Sequence, residues 1–231
     1  MLVNSNLVDG GKVYVVGGNS AVPTLVDNAI YGTVRRLAGS DRYLTNIAVL
    51  KEAGFSGQNL LIASGTNYAD ALSASAAARP IFLVGKTLTA DQKVYLEANK
   101  NSLAEATYVI GGPGAVSDSV KAEVEVYTGE AKRLEGSDRF ATSVAVASEF
   151  FPGKIHNMVI ASGLTFPDGL SGGPVAIAYD APLVLVGNNW VDHATNLFVS
   201  KNARTLIVMG GKGAVSQAIA ETIAAPAKET A

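Results

Sequence analysis

The sequence contains no cysteine and only two histidines, His156 and His193, which stand alone. Disulfides and thiolate metal sites are therefore excluded, and a zinc site has no ligand set to draw on. Charge of one sign is also scarce: 18 basic residues against 20 acidic ones leave a formal net charge of −2. A chain so balanced has no general affinity for nucleic acid, which calls for a basic face or stripe. Any anionic partner must be held locally. Long apolar runs are missing too. The stretches from Ile81 to Val84 and from Leu183 to Val186 are short and flanked by proline and glycine, as buried strands are and membrane spans are not. Residues 1–10 lack the basic start and apolar run of a signal peptide, so the expectation is a cytosolic chain or a mature or excised piece of a secreted one.

What is abundant is apolar residues, at 48%, and glycine, with 24. These belong to a compact fold with many tight turns. The chain is also repetitive. Arg36-Leu-Ala-Gly-Ser-Asp-Arg42-Tyr returns 97 residues later as Arg133-Leu-Glu-Gly-Ser-Asp-Arg139-Phe. A period that long means repeated α/β modules rather than the short units of a solenoid. Each octet reads as a helix start, with Ser40 or Asp41 placed to accept from the orphan N–H groups of the first turn. An amphipathic stripe follows in each copy, through Leu44, Ile47 and Leu50 and through Val144, Val146 and Ala147.

Further words repeat in order. A strand, a Gly-Gly turn and a helix occur three times, at Gly17-Gly18, Gly111-Gly112 and Gly210-Gly211. Leu60-Leu-Ile-Ala-Ser64-Gly65 followed by Asp70-Ala-Leu-Ser73 has its twin in Met158-Val-Ile-Ala-Ser162-Gly163 followed by Asp168-Gly-Leu-Ser171. Pro80-Ile-Phe-Leu-Val84-Gly85 matches Pro182-Leu-Val-Leu-Val186-Gly187 at a larger offset, which puts about one extra helical turn before the second copy. Three Gly-Gly units against two Ser-Asp-Arg units divide the chain into an incomplete first repeat (residues 11–35), a second (36–132) and a third (133–225). Strands apolar on both faces, alternating with helices, predict an α/β fold of layered, Rossmann-like modules with three or four parallel strands each. The Gly-rich turns then fall at the carboxyl ends of strands, where open parallel sheets usually bind ligands.

Several residue types at this edge suggest chemistry. The Gly-Gly turns invite a nucleotide reading, but Ser117 and Ser216 stand where G-x-G-x-x-G needs its third glycine. Positive φ and close strand-to-helix passage explain these glycines better, with phosphate binding by free N–H groups as the alternative. Asp41, Asp138, Asp70 and Asp168 each stand where a helix begins, which predicts capping rather than acid catalysis, and no D-x-D-x-D-G calcium loop is present. Ser64 and Ser162 lie in A-S-G, not G-x-S-x-G, and no repeated histidine could activate them. No enzyme activity and no cofactor are expected. Arg42, Arg139, Arg36 and Arg133 are the best candidates for ligand contact, since a guanidinium fork fits phosphate or carboxylate, although an Asp-Arg pair at a helix start also suits an internal ion pair.

Taken together, R-L-x-G-x-D-R-[YF], A-S-G with D-A-L-S, a Pro-led aliphatic strand and G-G-x-x-A-V resemble the cell wall binding repeat 2 family of Gram-positive surface proteins, over about residues 11–225. The resemblance implies secretion to the cell surface and non-covalent attachment to the wall, as in S-layer and related proteins, through an anionic, teichoic-acid-like polysaccharide. It also implies an anchoring motif at Pro80, Ile81, Phe82 and Leu83 and at Pro182, Leu183, Val184 and Leu185. Read from burial alone, these two segments look like central strands that no polymer can touch except at Gly85 and Gly187. The Gly169, Gly172 and Gly173 cluster departs from the family pattern and should weaken its helix by about 1 kcal/mol per glycine. The competing expectation is a cytosolic α/β small-ligand or nucleotide-binding protein that uses the Gly-rich strand ends. A third is self-association or trimer-like packing of the repeats.

Overall fold

A computed structural model describes residues 11–228, apart from residues 31, 55–57 and 103–105. The sequence also predicts a helix from Ala21-Val22-Pro23 to about Tyr31; Tyr31 lies outside the described residues, as do residues 1–10. The chain alternates strand and helix throughout: β1 (Lys12–Val16), α1 (Thr24–Asn28), β2 (Thr33–Leu37), α2 (Arg42–Ala53), β3 (Leu60–Ser64), α3 (Tyr68–Ser75), β4 (Ile81–Val84), α4 (Ala90–Asn99) and β5 (Thr107–Ile110). There follow α5 (Asp118–Thr128), β6 (Ala131–Leu134), α6 (Arg139–Phe150), β7 (Asn157–Ser162), α7 (Pro167–Ala178), β8 (Leu183–Val186), α8 (Asp192–Ser200), β9 (Thr205–Val208) and α9 (Gln217–Lys228). This is the tandem α/β fold that the alternation predicts. Its strands form three parallel sheets, ordered β1-β2, β4-β3-β5-β6 and β8-β7-β9.

The octets straddle these sheets. Arg36 and Leu37 end β2, beside β1, while Arg42 opens α2, which covers the next sheet. Arg133 and Leu134 likewise end β6, beside β5, while Arg139 opens α6. Helix α6 is wedged between two sheets, with Val146 in a core against Leu61, Ile110 and Leu134, and Ala147 in a core against Met158, Ile160 and Val184. Each octet glycine permits this tight passage. A Cβ on Gly136 would stand 2.6 Å from the carbonyl carbon of Ala141 and 2.7 Å from the nitrogen of Thr142. The Gly136 N–H in turn donates to the Thr142 hydroxyl at 3.1 Å, as Gly39 does to Thr45 at 3.0 Å.

A repeated polar joint ties neighbouring units together. Glu52 on α2 accepts from the Tyr14 hydroxyl of β1 at 3.0 Å and pairs with Arg35 of β2 at 2.5 Å. Glu149 on α6 pairs with Lys132 of β6 at 2.7 Å and accepts from Tyr108 of β5, and the Lys132 ammonium holds its carboxyl below the usual range. All three members recur at nearly the repeat period, and no motif in the sequence announces them.

The Pro-led strands are not central, as their apolar runs suggest. Both β4 and β8 lie at sheet edges, where a leading proline is tolerated. Their outer backbone groups are satisfied by side chains. The Asn46 amide donates to the Ile81 carbonyl at 2.9 Å and accepts from Leu83 N–H at 3.0 Å, and Gln92 donates to the Leu83 carbonyl at 2.6 Å. In the second copy the Ser143 hydroxyl accepts from Leu185 N–H at 3.0 Å. Helices and side chains cover these edges and so block strand addition there.

Helix α7 has 12 residues against eight in α3, which locates the extra turn. Its glycines have a purpose beyond propensity. A Cβ on Gly169 would meet Leu72 Cδ1 at 2.8 Å, and one on Gly173 would meet Ser75 Cβ at 3.0 Å. The two helices therefore touch backbone to side chain across this cluster. Close packing offsets the propensity cost that the sequence predicts.

Candidate functional site at the carboxyl edge of the strands

The octet carboxylates cap their helices as expected: Asp41 accepts from Leu44 N–H at 2.8 Å, and Asp138 from Phe140 and Ala141 N–H at 2.9 and 2.8 Å. Asp70 and Asp168 do not. Asn67 caps α3 instead, and α7 starts without a side-chain cap. Both aspartates lean on the next Gly-Gly turn. A Cβ on Gly111 would lie 2.5 Å from Asp70 Oδ2, and one on Gly210 would lie 2.5 Å from Asp168 Oδ2. Gly17, Gly111 and Gly210 all hold positive φ, which favours glycine, and at Gly111 and Gly210 the approaching carboxyl also leaves no room for a side chain. Burial pushes the Asp70 carboxyl up to about 6, against the opposing pull of the Arg139 guanidinium.

The four arginines fall into two tiers. Arg36 donates from Nη1 to the Gly17 carbonyl at 2.6 Å and grips Asp27 at 3.1 and 2.5 Å. Arg133 repeats the grip on the Gly111 carbonyl at 2.6 Å and on Asp118 at 2.9 Å. Both forks are turned inward and span a turn and the helix after it. Arg42 and Arg139 are different. Each donates one hydrogen bond from Nη1, to the Gly65 carbonyl at 2.6 Å and to the Gly163 carbonyl at 2.7 Å. Their other donors make no hydrogen bond among the described residues. Gly18, Gly112 and Gly211 follow at the same edge, with Gly112 close to Glu135. Ser64 and Ser162 are used in local turns: the Ser64 hydroxyl accepts from Thr66 and Asn67 N–H, and that of Ser162 from Leu164 N–H.

Aromatic rings complete the edge, and no motif read above pointed to them. Tyr43 lies against Gly65 and Gly85, and its counterpart Phe140 against Gly163 and Gly187. The Arg139 guanidinium lies over the Tyr68 ring at 5.9 Å, and that ring meets Phe166 at 5.6 Å between centroids. Trp190 stacks on Phe140 at 4.9 Å and 14°. Among the described residues no three His, Asp or Glu side chains converge as a metal site, and no helix is long and apolar enough to cross a membrane.

The sequence profile of cell wall binding domain 2 (CWB2) matches residues 36–121 and 133–220, most of the chain. The chain belongs to the CWB2 family. Two CWB2 units therefore account for the repeats, and cell wall association comes with them. The chain is 27% identical over 214 residues to the N-acetylmuramoyl-L-alanine amidase LytC of Bacillus subtilis, covering 90% of this chain but 41% of that protein. It is 25% identical over 198 residues to the amidase enhancer of the same organism, covering 83% of this chain and 26% of the other. Among solved structures, Cwp8 from Clostridium difficile superposes with a TM-score of 0.78 at 24% identity over 94% of this chain and 38% of its own. Cwp6 from the same organism does so with 0.79 at 24% identity over 92% and 36%. These two establish the same fold. The chain thus spans less than half of each of these proteins.

Proposed function

We propose that the chain is a non-catalytic module that holds a surface protein on the Gram-positive wall by binding an anionic secondary polysaccharide. The observation that carries this reading is the pair Arg42 and Arg139. Each guanidinium is fixed by one carbonyl at the open strand edge, with further N–H groups left to donate to phosphate or carboxylate. Arg36 and Arg133 serve in this reading as positioning residues for Gly17, Gly18, Gly111 and Gly112, and Gly210 and Gly211 shape the third turn. Pro80–Leu83 and Pro182–Leu185 support the edge from within, leaving Gly85 and Gly187 as contact points. Asp70 set against Gly111 weighs against the nucleotide alternative, because a carboxylate there would repel a phosphate. Weak sites on successive modules raise overall affinity through effective concentration.

The test is co-sedimentation with purified Gram-positive walls before and after chemical removal of the secondary polymer, across a salt series. Binding should fall on stripping, weaken as salt screens the charges, and drop roughly tenfold or more in the Arg42→Ala/Arg139→Ala double variant. Equal binding to stripped walls would overturn the reading.

A second proposal concerns self-association. Leu170, Pro174 and Ile177 form one exposed stripe along α7, beside the face that already packs on α3. We assign this stripe to the α3- or α7-type helix of another CWB2 unit, as in a trimer-like arrangement. Sedimentation velocity should show a concentration-dependent dimer or trimer that Leu170→Asp abolishes. A monomer at all concentrations, unchanged by the variant, would reject it.

A further inference from the structure

The two full modules differ at one point of the strand edge. Leu88, three residues after Gly85, is buried in the core of the second repeat. The matching residue three after Gly187 is Trp190, the single tryptophan of the chain, and it is 39% exposed. Main chain and ring are both held. The Trp190 backbone N–H donates to the Gly187 carbonyl at 3.0 Å, and the indole stacks on Phe140. Phe140 is itself buried, and it is packed so closely on Gly163 that a Cβ there would come within 2.6 Å of its ring. The indole is thus a pre-set flat surface, which lowers the ordering cost of binding to it.

A second aromatic group stands at the same repeat junction. Arg139 precedes Phe140 in the chain, its guanidinium lies over Tyr68, and Tyr68 contacts the half-exposed Phe166 and donates to the Leu164 carbonyl at 3.1 Å. Rigid aromatic faces next to a fixed guanidinium are an amphipathic combination. A pyranose ring has the matching chemistry: an apolar face of C–H bonds to lie on the ring, and hydroxyl, carboxyl or phosphate groups at its rim to accept from arginine.

We propose that Trp190, on a Phe140 floor that follows Arg139 in the chain, is a sugar-stacking subsite that binds one pyranose residue of the wall polysaccharide. The inference rests on the attachment reading above and adds to it a single aromatic subsite, peculiar to the third repeat, rather than one per module.

The lone tryptophan is also the reporter. Soluble polysaccharide released from Gram-positive walls would be titrated into the intact chain while the emission and acrylamide quenching of Trp190 are followed. Saturable protection of the indole is expected. Trp190→Leu, which installs the side chain of the second repeat, should weaken wall co-sedimentation by roughly tenfold, and Trp190→Phe should recover most of it. Full wall binding by Trp190→Leu with no emission change in the parent chain, while the arginine double variant still loses binding, would overturn the subsite and leave the attachment reading standing. Failure of the parent chain to bind unstripped walls would sink both. An emission change that follows protein concentration instead of polymer would assign the indole to contact with a second copy, against the proposal.

Discussion

At pH 7.5 the Asp70→Asn variant melts several degrees above the parent chain, and the gap closes as the pH falls below about 4. Asp70 is only 5% exposed, and its carboxyl titrates near 6 in the fold against a reference of 3.8. A folded pKa above the unfolded one means that the native state holds the proton more tightly. Its contribution is fully present below pH 3.8 and is lost as the pH rises through about 6. At neutral pH the buried charge then costs roughly 3 kcal/mol, at about 1.4 kcal/mol per pKa unit, which Asn avoids while keeping the shape. For a chain of this size that is on the order of 5–10 °C. Arg139→Ala removes the opposing positive charge and should steepen the loss between pH 4 and 7. Thermal melts across pH for all three chains decide it. Parallel curves for parent and Asp70→Asn would show that the carboxyl is solvated and that burial does not govern it.

Gly136→Ala should cost about 3 kcal/mol or more in chemical denaturation, whereas Gly114→Ala should change stability by less than about 1 kcal/mol. At Gly136 the new methyl would collide with main chain, at Ala141 and Thr142, which cannot swing aside as a side-chain tip can. The N-terminus of α6 would have to move, and with it the Asp138 cap, the Gly136–Thr142 hydrogen bond and the Arg139 guanidinium. At Gly114 a methyl meets nothing within 4 Å. Similar losses for both variants would indicate that glycine entropy, and not the passage beneath α6, controls the position.

The repeat period and the alternation of apolar strands with helices were enough to read the α/β modules, since both are local patterns that burial on a sheet enforces. The octet caps were legible for the same reason: Asp41 and Asp138 act within three residues of their own position. Asp70 was not. A carboxylate near a helix start reads as a cap, and its actual contact is Gly111, which the fold brings from 41 residues further along. The edge position of Pro80–Leu83 was hidden because an apolar run reports burial, and here helix α2 supplies the burial with Asn46 in place of a neighbouring strand. The joint of Tyr14, Arg35 and Glu52 with Tyr108, Lys132 and Glu149 left a signal in its near-constant offsets, although nothing in residue type alone picks it out. Trp190 lacks a twin, so a search for repeated words passes over it.

The straddling of two sheets by each octet bears on how such arrays can be cut and rejoined. A recombination break just before Arg133 would cut β6 in two, leaving Ala131 and Lys132 with the sheet that the strand completes and sending Arg133 and Leu134 with the next. The same exchange made between Glu135 and Ser137 would leave every strand with its own sheet and transfer α6 with the sheet that it covers next. Genetic exchange between relatives should therefore tolerate crossovers inside the octet far better than at its start. The unit inherited by recombination would then be offset by a few residues from the unit that the sequence appears to repeat.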